Sequence, residues 1–128
     1  MAKEALQFVL AFCAGMLWYR FLFFLVPIYF KRPLTRSLLK LHWHHLHWGI
    51  LLILASSILL LFLGKNTLVI ILLGLGLGFC MDLFIPSLLL ETNREQELIV
   101  YGKSLIPTIL LFLFIAAAII ALSFFKIL

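Results

Sequence analysis

The stretch LVIILLGLGLGFCMDLFIPSLLL, residues 68–90, holds a single charged residue, Asp82, in a run long enough to cross the hydrocarbon of a bilayer as one helix. Soluble cores are not built from such runs. A spanning helix needs about 20 mainly apolar residues at a rise of about 1.5 Å each, and three further segments meet that requirement. They lie at about 6–30, 41–63 and, starting at Leu98 or Leu105, up to 125, a span of about 98–125 at its longest, joined by the polar intervals 31–40, 64–67 and 91–97. The fold class expected is an all-α integral membrane protein, a compact bundle of four transmembrane helices in one domain over residues 1–128.

Composition agrees. The 128 residues are 66% hydrophobic and 12% charged, where soluble domains carry about 25% charged residues. The mean hydropathy of +1.25 describes far more apolar surface than one small soluble core could hide. A soluble enzyme, a disordered chain and a disulfide scaffold are excluded. The net charge of +5 comes from basic residues flanking the spans, so it reads as a topology signal and not as a nucleic-acid surface. Cys13 and Cys80 both sit in apolar runs without C-x-x-C spacing and are expected to be free thiols. The first span exceeds a signal-peptide core and lacks an A-x-A-like site, so it is expected to be retained; Phe12 before Cys13 argues against a lipidated cysteine.

Orientation follows from the basic residues near the span ends. Lys31, Arg32, Arg36, Lys40, Arg94 and Lys103 fall on one side, and Lys3, Lys65 and Lys126 on the other. This predicts both termini on the non-cytoplasmic side. It also predicts that polar groups from separate helices meet at the cytoplasmic face.

All four histidines lie within His42–His47, in LHWHHLHWG from Leu41 to Gly49. Imidazole is the commonest metal ligand and titrates near neutral pH. On a helix starting at Leu41, His42 and His45 share a face with Gly49 and Ser56, while His44 and His47 point away beside Trp43 and Trp48. The first stripe is small and polar and should face the bundle; the second suits an aromatic interfacial belt. An interfacial anchor made of His and Trp is the plain alternative for the whole cluster.

An ionisable group as deep as Asp82, about 12 Å inside its span, requires a partner. Arg20 is the available counter-charge, and an ion held with the histidines is the other solution. Asp82 continues the row Gly74, Gly78, whose G-x-x-x-G surface admits a close helix and offers a route to a homo-oligomer or a membrane-complex partner. Near the fourth span, Thr92-x-x-Glu95 matches a capping box, after which Glu97, Tyr101, Ser104 and Thr108 recur on one helical face. That stripe should turn inward.

His42, His45 and Asp82 are therefore the candidate ligands of a divalent transition metal, zinc or iron, with Glu97 as catalytic base and Tyr101 orienting it. Arg20 would neutralise an anionic substrate or pair with Asp82, and His44, His47 and Ser104 would supply secondary polar lining. H-E-x-x-H is absent, and so are the Glu-x-x-His pairs of bundle di-iron sites. One histidine cluster also falls short of the several dispersed boxes of membrane desaturases. The function expected is a small membrane metalloprotein, a metal-dependent hydrolase or lipid-modifying enzyme. The alternatives are an ion or proton transport or channel subunit, and a non-catalytic subunit of a membrane complex.

Overall fold

The computed structural model describes residues 2–26, 44–89 and 94–125, and within those it is helical with no strand. The helices are α1 (Ala2–Leu25), α2 (His45–Leu63), α3 (Thr67–Leu88), α4 (Arg94–Lys103) and α5 (Leu105–Phe124). Four of them, Lys3–Leu25 of α1 and the whole of α2, α3 and α5, are long and apolar enough to cross a membrane. Their outward faces are Leu, Ile and Phe, including Leu61, Phe62 and Phe114, which suits contact with lipid.

Several boundaries differ from the sequence expectation, each for a backbone reason. The described part of α1 ends at Leu25, because the next residue precedes Pro27, and a pre-proline residue is disfavoured in the α region. His44 is extended at φ −96° and ψ 158°, so α2 begins only at His45, and Leu41–Trp43 lie outside the described residues. Of the two starts expected for the fourth span, the apolar helix takes Leu105, and the residues before it form the separate helix α4. Pro107 lacks the N–H that would bond the Lys103 carbonyl and its ring crowds that carbonyl, so the chain breaks at Ser104. Pro107 then falls in the first turn of α5, where an N–H has no intrahelical partner in any case.

Between α2 and α3 the turn is tight. Gly64 takes the left-handed φ of +65° and closes α2 through its N–H to the Leu60 carbonyl, 3.1 Å. The Asn66 side chain then caps α3 by accepting the Val69 N–H at 3.1 Å. Lys65 in this turn reaches Glu4 at 2.9 Å, which sets the start of α3 beside the start of α1.

Helix α3 is the centre. It runs parallel to α1, with Gly74 against Phe8 and Gly78 against Phe12, and antiparallel to α2, with Gly76 against Ile53 and Cys80 against Gly49, and α5 lies against both α1 and α3. The close approaches depend on glycine. A Cβ on Gly74 would meet the Phe8 carbonyl at 2.7 Å and one on Gly78 the Met16 backbone nitrogen at 2.8 Å, while Gly49 and Gly76 bring α2 equally near. The Gly74/Gly78 face expected to receive a partner is thus covered by α1 of the same chain, which corrects that reading. Deeper between α1, α3 and α5 the filling is apolar: Phe12, Met16, Phe112 and Ala116, with Phe12 and Phe112 rings 4.9 Å apart.

Candidate functional site

At the end opposite the Lys65–Glu4 pair, four helices converge on Arg20. Its residue is 2% exposed and Asp82 is 0% exposed, so neither charge is solvated. The guanidinium donates through all three nitrogens. Nε bonds Asp82 Oδ1, Nη1 bonds the Tyr101 carbonyl, and Nη2 faces the Asp82 carbonyl at 3.0 Å, Ser104 Oγ at 3.1 Å and Thr108 Oγ1 at 3.2 Å. The Tyr101 ring lies over its Cζ at 3.9 Å, adding a cation–π contact.

The backbone makes these acceptors available. In an uninterrupted helix the Asp82 carbonyl would bond the N–H four residues on, but that residue is Pro86 and has none. Arg20 supplies the missing donor. The Tyr101 carbonyl lies just before the break at Ser104, where it also accepts from Ser104 Oγ at 2.9 Å. One cation thereby joins α1 to α3 and α4 at carbonyls that helix geometry leaves free, and to α5 through the Thr108 hydroxyl.

The second oxygen of Asp82 faces the other way. Tyr101 Oη donates to Oδ2 at 2.5 Å, and His45 Nε2 lies 2.8 Å from the same atom. Burial, followed by the Asp82 charge, pushes the Tyr101 phenol above its ordinary range, so it remains a proton donor. His45 Nε2 stands off the line of a hydrogen bond: it is buried, with the carboxylate beside it, yet has no hydrogen-bond partner among the described residues. The His45 ring stacks on Tyr19 at 4.1 Å and 15°, and Tyr19 meets Phe79 edge-on at 5.6 Å.

The structure therefore brings Arg20, His45, Asp82, Tyr101, Ser104 and Thr108 together, and the stripe of Gly49 and Ser56 faces inward with His45 as expected. Of the two roles expected for Arg20, its side chain is placed in the pairing with Asp82, together with the carbonyls around it. His44 and His47 stay at the entry of α2, where the His44 N–H bonds His47 Nδ1 at 3.1 Å; they do not join Asp82. His42 and the side chain of Glu97 lie outside the described residues. Because His44 is extended, helical angles do not carry from His45 back to His42.

No family model, curated protein or solved structure matches the chain.

Among the described residues no three His, Cys, Asp or Glu side chains gather as a metal shell. Two ligand-type atoms do adjoin, His45 Nε2 and Asp82 Oδ2. Sequence reading missed Tyr19, whose signal is its position directly before Arg20 in the apolar part of α1. It also missed Pro86, four residues beyond Asp82.

Proposed function

We propose that the chain is a multi-pass membrane protein with an acid–base site at one end of its bundle, acting on the headgroup of a membrane-associated substrate. The observation that carries this reading is the His45 nitrogen: buried, 2.8 Å from a carboxylate and with no hydrogen-bond partner among the described residues. An imidazole in that setting can exchange a proton with a group that reaches it, with the Asp82 carboxylate beside it to stabilise the imidazolium and Arg20 to hold that carboxylate in place. Tyr101 completes the carboxylate's bonding and keeps it oriented. The apolar filling of Phe12, Met16, Phe112 and Ala116 below the cluster favours chemistry at one face over passage through the bundle.

A second reading rests on the same nitrogen. Two protein atoms bound to one zinc ion at about 2.0–2.2 Å sit roughly 3 Å apart, close to the separation of His45 Nε2 and Asp82 Oδ2. These two residues would hold the ion, which would supply an activated water; Tyr101 would have to release Oδ2 for it to bind.

Both readings are tested on detergent-purified protein incubated with a mixed phospholipid and neutral-lipid extract. Products are followed by mass spectrometry, and zinc and iron by elemental analysis. Conversion by the wild type should fall by about 10²–10⁴-fold in His45→Gln and Asp82→Asn. One metal ion per chain, lost from both variants, would move the assignment to the metal reading. No conversion by the wild type would remove the enzymatic proposal and leave transport or a non-catalytic subunit.

The site end is proposed to face the cytoplasm, with both termini on the other side, on the distribution of basic residues. In a chain with Cys13 and Cys80 replaced by serine, an impermeant thiol reagent applied outside should label Asn66→Cys and spare Thr35→Cys. The reverse pattern would invert the orientation.

A further inference from the structure

We infer that Tyr19 is a positioning residue for His45, holding the imidazole plane so that the buried Nε2 stays off the line of a hydrogen bond to the Asp82 carboxylate. This rests on the acid–base reading above. A histidine 2.8 Å from a buried carboxylate would ordinarily turn its ring to place an N–H on the oxygen, because an unmade hydrogen bond between buried groups is costly. His45 does not make that bond. The nearest constraint on its plane is Tyr19, whose ring lies almost parallel to it at 4.1 Å. Turning the imidazole toward Asp82 would break this stack. Tyr19 is itself held edge-on by Phe79 of α3, and its neighbour Arg20 is anchored to α3, α4 and α5. The ring that orients His45 is therefore fixed to the same framework that orients Asp82. The Tyr101 ring stands edge-on to the imidazole at 6.4 Å, a looser contact than the Tyr19 stack.

The face of Tyr19, and not its hydroxyl, carries this role, so phenylalanine should replace it and an aliphatic residue should not. The test uses full-length protein in micelles with ¹⁵N-labelled histidine, the His45 signals being assigned by their loss in His45→Gln. Tyr19→Phe should keep the wild-type His45 nitrogen shifts. Tyr19→Leu should move them to those of a ring hydrogen-bonded to a carboxylate, with conversion down about 10-fold or more from misplacement of the reacting nitrogen. Retention of the Arg20 Nε–H signal reports that the bundle is intact; if Tyr19→Leu loses it, Tyr19→Met is read in its place. Unchanged His45 shifts in the aliphatic variant would overturn the inference while leaving the acid–base reading standing. Wild-type shifts already typical of a bond to Asp82 would overturn both.

Discussion

Arg20→Met is expected to destabilise the protein by about 3–5 kcal/mol, the usual cost of leaving a buried ionised partner uncompensated. The unfolding midpoint in a mixed-micelle denaturant titration, followed by circular dichroism, measures it. The loss goes beyond one ion pair. Asp82 is 0% exposed and, among the described residues, its carboxylate would keep Tyr101 and the off-line His45 nitrogen beside it. The Asp82 carbonyl, already without a helical donor because of Pro86, would lose its bond to Nη2. Ser104 and Thr108 would lose the same partner. Lysine should recover little of this, since a single ammonium cannot reach acceptors on α3, α4 and α5 as a three-nitrogen fork does. Removing both charges discriminates the cause: Arg20→Met with Asp82→Leu should be more stable than Arg20→Met alone. A double variant no better than the single one would show that the carbonyls, and not the carboxylate, account for the loss.

The parts of this arrangement that follow from helical spacing were legible in the sequence. Asp82 is the one acid deep in its span and Arg20 the one base at a similar depth, so their pairing follows from the cost of an unpartnered charge in an apolar span. Ser104 and Thr108 are one turn apart and share a face, and His45, Gly49 and Ser56 do the same. What was not legible depends on where helices stop. The spacing rule assigns His42 to the face of His45 only if the helix includes both, and the extended His44 places the start between them. Pro86 and Pro107 look alike in sequence, yet one remains inside α3 and the other ends up in the first turn of α5. The helix that would cover Gly74 and Gly78 was open as well. A G-x-x-x-G surface specifies close approach but not the identity of the approaching helix, and packing assigns it to α1. Tyr19 has no periodicity to mark it. Its role depends on a ring plane, which only tertiary contact determines.

The glycines give the second large expected effect, because they set the distance between the elements that carry the site. In Gly78→Ala the new methyl would meet the Phe12 carbonyl, the Met16 nitrogen at 2.8 Å and the Gly15 Cα at 2.9 Å, all backbone atoms that cannot rotate aside. Helix α1 must move, at a cost of about 1–3 kcal/mol typical of overpacking. Arg20 lies one turn beyond Met16 on the same helix, so the shift carries the guanidinium away from Asp82, and its Nε–H signal should be lost or broadened. Gly49→Ala meets Cys80 Sγ and the Gly76 carbonyl at 2.8 Å and displaces α2. It should disturb the His45 signals while leaving the Arg20 signal in place. Gly102→Ala is the control, for its nearest atom is Phe23 Cε1 at 3.9 Å, and alanine within α4 should be neutral or stabilising by up to about 1 kcal/mol. If Gly78→Ala were as stable as Gly102→Ala and kept the Arg20 signal, α1 and α3 would not be in the close contact that brings Arg20 to Asp82. Loss of both the Arg20 and His45 signals in Gly49→Ala would mean instead that α2 holds the Arg20–Asp82 pair together, and that the two halves of the site form only as a unit.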